Sequence, residues 1–272
     1  MKRPCFTLVE LLAVIAVIAL LVALSVPVLR SSRQRANALL CASNIKQLTV
    51  GLFMYETEYE TFPYGFYDTF KDALNGTFDP PPGGYAGGSS YDRMGWWWFH
   101  YIEDFCKKSD GRKTVVCCPS RQLSNPKLKN NILCGNYGVN RAVCKSSDGI
   151  QRDREDFVGT PLRGSDVPHP GQTLLIVDSG YSIISWWHVT EVPPVSLGTS
   201  IEDAAYVPGL EINRDKNLWP GQEQDAINGR HPHKRVNVGY ADGHANPTQA
   251  ANLLVEKTAD GYQNRVPLWL PK

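Results

Sequence analysis

One stretch near the start of the chain limits its possible folds more than any other: FTLVELLAVIAVIALLVALSVPVL, Phe6 to Leu29. Every position is apolar or small except Thr7, Glu10 and Ser25. As a helix rising 1.5 Å per residue it would reach roughly 36 Å, enough to cross a hydrocarbon core of about 30 Å. A cleaved secretory signal would have an apolar region of about 7–15 residues and a small-x-small cleavage site. This run is longer, and VALSVPVLR offers no A-x-A. A lipoprotein signal needs a cysteine after the run, whereas Cys5 precedes it. The segment is expected to remain as a membrane helix.

Glu10 is the anomaly in that helix. A carboxylate inside the bilayer costs on the order of 2.5–3.5 kcal/mol, so such residues are usually paired and functional. One reading lets Glu10 reach the interface from one turn inside; the other gives it a role. The residues around it favour the role. FTLVELLAVIAVIALLVALSVPVL resembles the amino-terminal segment of type IV prepilins and type II secretion pseudopilins. The resemblance implies cleavage of a short basic leader between Cys5 and Phe6 and methylation of the new Phe6 amino group. It also places Glu10 at the fifth mature position, where the family uses a glutamate in assembly. Pro27 falls where the family has a helix-bending proline. The family usually has glycine before the cut, and here Cys5 stands there. Physically, a buried carboxylate is best neutralised by a cation, which the Phe6 ammonium of a neighbouring subunit would supply.

Lys2 and Arg3 precede the span, and Arg30, Arg33 and Arg35 follow it, so charge does not fix the orientation. The resemblance implies a bacterial inner-membrane protein, single-pass, with the head exported to the periplasm or cell surface. Removing the leader leaves six cysteines: Cys41, Cys106, Cys117, Cys118, Cys134 and Cys144. An even number suits disulfides in an exported domain, with 15 possible full pairings. No C-x-x-C spacing supports a zinc ribbon. The net charge of +1 gives no footprint for nucleic acid.

Beyond Leu29, Ala38, Cys41, Ile45, Leu48, Leu52, Tyr55, Tyr59 and Phe62 recur at steps of three and four, mapping one stripe along a helix. Arg35, Asn44, Lys46, Gln47 and Glu56 occupy its other faces. The stripe suits a stem packed on a domain core better than a coiled-coil seam. RANALLCASNIKQLTVGLFMYETEYETFP resembles the stem of large pseudopilin-like proteins, and Pro63 is expected to end the helix. The expected organisation is a leader over 1–5, a transmembrane helix over 6–29, an amphipathic stem over 30–62 and a globular head over 63–272.

In the head, Asn75–Ser90 is a Pro- and Gly-rich loop. MGWWWFHYIEDF, Met94–Phe105, concentrates aromatic residues and reads as core packing against the stem, with His100 a satisfied core or rim histidine. TVVCCPS, NYGVN and QTLLIVDS read as short strands. Their C-P-S, Y-G-x-N and T-L-L-x-x-D-S runs occur in the order of the same pseudopilin-like family. Cys144–Gly171 reads as a polar loop. Arg235–Ala241 alternates apolar and polar residues ahead of Asp242-Gly243, a hairpin turn signal. GRHPHKRVNVGYADG resembles the family's processing-associated motif, a histidine, nine residues, then Asp-Gly. Here ten residues separate His231 from Asp242, and eight separate His233 from it.

His231, His233, Asp242 and His244 are weak candidates for metal ligands, since the turn alone accounts for Asp242. No cofactor is expected, and no nucleophile elbow, phosphate loop or H-E-x-x-H motif points to an enzyme. The favoured function is a structural subunit of a pilus-like or secretion pseudopilus assembly. Its expected partners are other pilin or pseudopilin subunits, a prepilin peptidase/methyltransferase and the membrane. The alternative is a membrane-tethered exported binding protein or enzyme using the aromatic cluster or the His/Asp hairpin. The expected fold is α+β and pilin-like, a long bent helix packed on an antiparallel sheet. Cys41 lies on the inward stripe, and consecutive strand residues face opposite sides, so only one of Cys117 and Cys118 can face it. A Cys41 disulfide to one of them is expected, closing a loop of roughly 75 residues for about 4–5 kcal/mol of stabilisation.

Overall fold

The computed structural model describes residues 8–68, 95–103, 105, 115–147, 156–193 and 204–272. Cys5, Phe6, Cys106 and the Asn75–Ser90 loop lie outside them. One helix, α1 (Leu8–Tyr59), carries the apolar run and the stem without a break, with Pro27 inside it. Every residue from Leu8 to Ala36 is exposed, so the apolar side chains of this half of α1 are not covered by the described residues. By length and composition that half is able to cross a membrane.

Burial begins at Cys41 and continues through Ile45, Leu48 and Leu52, the expected stripe, widened by Thr49 and Gly51. Helical spacing puts these residues on one side, and that side lies on a sheet rather than on a second helix. The helix ends at Tyr59, short of the expected Phe62. Glu60 turns to φ 60°, a left-handed position that stops the helix before Pro63 can. Phe62 is still buried, outside the helix, with its N–H donating to Leu162 O at 2.8 Å.

Two short strands, β1 (Phe66–Asp68) and β2 (Gly95–Trp97), form an antiparallel pair, and α2 (Trp98–Tyr101) follows directly. Trp97, Trp98 and Phe99 join the stem-side core, so the aromatic run packs against the stem as expected. His100 Nδ1 accepts the Trp97 N–H at 3.0 Å, making His100 a satisfied histidine at the core's edge. α3 (Pro126–Asn130) precedes the main sheet.

That sheet has five strands in the order β5-β3-β4-β6-β7: β3 (Tyr137–Asn140), β4 (Leu174–Asp178), β5 (Ile183–Ile184), β6 (Arg235–Tyr240) and β7 (Ala245–Gln249). All its pairings are antiparallel except β3 with β5. The sheet is therefore mixed, where a fully antiparallel one was expected. After β4 the chain crosses beside β3 and adds β5 on the far side, passing so close that a Cβ at Gly138 would lie 2.5 Å from Tyr181 O. Cys118 is not in a strand: residues 115–120 form turns, and the Cys118 N–H bonds the Asn136 side chain at 3.0 Å instead of a ladder partner.

Strands β3, β4 and β5 are buried on both faces, and β6 over most of its length, whereas β7 is largely exposed. The stem, Val139 and Ile176 belong to one core cluster; Leu174, Val177, Val236 and Val238 belong to a second with Trp186, Trp187 and Trp269. The Asp242-Gly243 turn joins β6 to β7, with Gly243 at φ 89°. α4 (Glu223–Asn228) precedes β6, and β8 (Glu256–Thr258) forms an antiparallel hairpin with β9 (Gly261–Gln263) after β7. The fold is α+β, a long apolar-to-amphipathic helix docked on a sheet-based head.

Candidate functional site at the stem–head junction

Where α1 first touches the head, polar and sulfur-bearing side chains from four parts of the chain converge. Cys41 comes from the inward stripe. Cys118 comes from the turn after residue 115, Asp178 from the end of β4, and His231 from the segment entering β6. All four are buried.

Cys41 Sγ and Cys118 Sγ are 2.9 Å apart, and Ser120 Oγ lies 3.6 Å from Cys41 Sγ. The stem selects Cys118 over Cys117 through Asn44, whose amide donates to Cys117 O at 3.3 Å and to the Tyr137 hydroxyl at 3.2 Å. Asn44, placed off the apolar stripe by its spacing, is half-buried there. His231 Nε2 meets Asp178 Oδ2 at 3.2 Å, and the same oxygen accepts Asn237 N–H at 2.7 Å and its side-chain amide at 3.1 Å. His231 Nδ1 is buried without a hydrogen-bond partner, as is Asp178 Oδ1.

Behind this pair lies a second one. Arg230 grips Asp225 with Nε at 2.9 Å and a terminal nitrogen at 2.8 Å, and also donates to Asn136 O and Ser179 O. Tyr206 donates to Asp225 Oδ2 at 2.8 Å. Asp178, Asp225 and Arg230 are wholly enclosed, so with His231 protonated the cluster holds two acids against two cations. Such balance is what makes buried charge tolerable, and removing one member is costly.

The electrostatics follow from these contacts. Burial works against charge on His231, but the Asp178 carboxylate outweighs it and raises the imidazole to about 10. Burial likewise opposes ionisation of Asp178; the His231 charge, its hydrogen bond, Arg230 and the Asn237 N–H nevertheless hold it below the usual carboxylate range. The Cys118 hydrogen bond, with help from His231, lowers Cys41 to about 5, against the opposing effect of burial. Cys118 is pushed well up, chiefly by burial and then by Cys41. One thiol is thus primed to ionise and the other to remain protonated.

A groove of about 550 Å³ opens beside the cluster, lined among others by Gln34 and Asn37 of the stem and by Ser120, Arg230 and His231 of the head. A ring nitrogen of His231 and the two sulfurs lie within 4.8 Å of one another, close enough to share an ion. The sulfur spacing argues against one. Two thiolates on a tetrahedral zinc at about 2.3 Å would stand about 3.8 Å apart, farther than the 2.9 Å observed.

The other anticipated sites are placed as follows. Glu10 and Pro27 lie in the exposed half of α1. His231 is in the core with Asp178, whereas Asp242 pairs with His244 at the exposed turn, where His244 stacks on Tyr240 at 4.3 Å. His233 is exposed, at φ 60°. The four weak metal candidates do not converge; among the described residues the close His/Cys set is Cys41, Cys118 and His231. Asp242 and Gly243 act as the hairpin turn. Cys134 and Cys144 are buried elsewhere in the core.

Sequence reasoning missed Asp178, Asp225, Arg230 and Asn237 as a unit. The readable signal was Asp178, an acid closing the apolar run LLIVD: a charge on a strand covered on both faces demands a buried partner. No model of a known protein family, no curated protein and no solved structure matches the chain.

Proposed function

We propose that this protein is a structural subunit of a pilus-like or secretion pseudopilus assembly, anchored and assembled through α1 and displaying the head outside the cytoplasmic membrane. The observation that carries the reading is the division of α1. Its apolar half is exposed throughout, and its amphipathic half is docked on the head. An apolar helical surface of that length is stable only in lipid or against other helices, and a filament core of stacked helices offers the second environment. Phe6, Glu10 and Pro27 in register add the features expected of cleavage, methylation and assembly.

The features on which a membrane-tethered binding protein or enzyme would rest are engaged otherwise. Trp97 and Trp98 are core residues, and His231 is held by Asp178. The test is mass spectrometry of the mature amino terminus together with filament incorporation. Methylated Phe6 at the terminus is expected, and Glu10→Ala is expected to leave the head folded and the helix inserted while incorporation drops. An unprocessed terminus, or normal incorporation of Glu10→Ala, would refute the reading.

A further inference from the structure

We propose that Cys41 and Cys118 form a modification site: a disulfide that cross-links stem to head once the stem has seated, with His231, oriented by Asp178, as the positioning cation beside Cys41. The inference rests on the export of the head proposed above only for its oxidising surroundings; the geometry stands by itself.

Several observations converge on the pair. The sulfurs approach to 2.9 Å across a separation of 77 residues. A disulfide bond of about 2.04 Å needs a sub-ångström closing movement, whereas a shared metal would need the sulfurs pushed apart. The partner choice is imposed from outside the pair: Asn44 fixes the Cys117 carbonyl, and Asn136 accepts the Cys118 N–H at 3.0 Å, which leaves the Cys118 side chain toward the stem.

Charge points the same way. The neighbouring cluster already balances two carboxylates with Arg230 and a protonated His231. A persistent Cys41 thiolate would leave three buried negative charges against two positive ones. A disulfide carries none and leaves the cluster balanced. The groove is lined by Ser120 and His231, and Ser120 Oγ is 3.6 Å from Cys41 Sγ; Cys41 itself is buried, so an oxidant reaches it from this side when the stem loosens from the head.

The exchange requires a disulfide-bearing oxidant, either a small disulfide or an oxidised thiol–disulfide oxidoreductase. The Cys41 thiolate attacks one oxidant sulfur; the oxidant's S–S bond breaks and its other sulfur leaves as a thiolate, then takes a proton. Cys118 loses its proton and attacks the Cys41 sulfur, forming the Cys41–Cys118 bond and displacing the oxidant's remaining sulfur. Two thiols lose two electrons and two protons, and the oxidant's disulfide becomes two thiols. His231 stabilises the attacking thiolate as the nearest cation, and Asp178 keeps its ring in place.

The test uses the purified full-length chain in detergent, equilibrated anaerobically in glutathione buffers of defined ratio. It is then alkylated, digested and read by mass spectrometry. The expected product is a peptide pair joining Cys41 to Cys118, still at least half oxidised in about 10 mM reduced and about 0.1 mM oxidised glutathione. Cys118→Ser is expected to trap Cys41 as a mixed disulfide with glutathione. His231→Gln is expected to move the pH profile of that trapping upward by more than one pH unit in the Cys118→Ser background. Two alkylatable thiols under oxidising glutathione, with or without co-purified metal, would overturn the cross-link, as would Cys41 bonded elsewhere. An unshifted pH profile would overturn the part assigned to His231. Because the buffer sets the redox poise, a head on the cytoplasmic side would not alter these results; failure of the export reading would show separately, as a reduced pair in freshly alkylated cells.

Discussion

Gly239 on β6 is the position where stem docking is most directly testable by a single methyl group. A Cβ placed there would lie 1.9 Å from Thr49 Oγ1, 2.7 Å from Ile176 Cγ2 and 3.0 Å from Thr49 Cβ. Neither neighbour can yield cheaply. Thr49 and Ile176 are both fully buried, and Thr49 Oγ1 is held by its 2.7 Å bond to Ile45 O. Gly239→Ala should therefore lift the stem off the sheet or force side chains off their rotamers, at a cost of about 1–3 kcal/mol. Without the stem the Thr49 clash would vanish and only the 2.7 Å Ile176 contact would remain, so the cost would shrink. Gly239 has no positive φ, and replacing such a glycine by alanine stabilises by about 0.4–1 kcal/mol through the unfolded chain.

The assay is thermal and urea unfolding of the full chain in detergent. Each kcal/mol corresponds to about 2–4 °C for a domain of this size, so a fall of about 2–12 °C is expected. Thr49→Ala removes the atom of closest approach, and the double variant should lose measurably less than the sum of the single ones. A Gly239→Ala chain as stable as the parent, or strictly additive behaviour with Thr49→Ala, would refute the docking geometry.

The two sides of the stem should respond differently to truncation. Leu48→Ala, at a buried position, should cost about 2–5 kcal/mol, whereas Leu40→Ala, more than half exposed, should stay within about 0.5 kcal/mol by the same unfolding assay. Tyr206→Phe removes the 2.8 Å hydroxyl bond to Asp225 and should cost about 1.5–3 kcal/mol, measured by urea midpoint at unchanged slope. The raised His231 contributes stability fully below about pH 6.5 and loses it as pH climbs towards about 10; the depressed Asp178 contributes above about pH 3.9 and loses it as pH falls through its lower folded value. Cys41 and Lys216, whose lowered pKa values act in the opposite sense over this range, are common to both chains, so His231→Gln should make the slope of melting temperature between about pH 6.5 and 10 less negative than the parent's.

Much of the fold was legible because helical period and apolar length are local signals. The 41-45-48-52 stripe predicts the docked face of α1, and Asp242-Gly243 predicts the β6–β7 turn, each from residues adjacent along the chain. NYGVN and QTLLIVDS mark β3 and β4 for the same reason. TVVCCPS failed as a strand because the Cys118 N–H is satisfied by Asn136, a side chain brought in by tertiary structure. The parallel β3–β5 pair was equally hidden, since it depends on the chain passing beside Gly138. The site was half visible. The stripe placed Cys41, but the choice between Cys117 and Cys118 was argued from a strand the chain does not form, and the expected disulfide is not made: both sulfurs are free thiols 2.9 Å apart. His231 was noticed for its place before Asp-Gly, but its partner Asp178 lies 53 residues away, a pairing no spacing rule could supply.

The position of the cysteine pair also bears on how a subunit would carry load. Cys41 is the first buried residue of α1; everything from Leu8 to Ala36 is exposed. In a subunit held by its amino-terminal half, tension between helix and head acts first at the outermost contact of the docked stem. Contacts there break one at a time, because each loosened turn exposes the next, so the many small terms of packing do not act together. A covalent bond at Cys41 would change that sequence: Ile45, Leu48 and Leu52 behind it would stay seated until the bond itself was reduced or the sheet unfolded. The same position explains why the buried charges lie beside it. Asp178 and His231 secure the end of β4 to the start of β6, with the Asn237 bonds on the same carboxylate. Cys118 is itself tied through its N–H to Asn136, the residue before β3, so a bond at Cys118 would join the stem to the sheet beneath it.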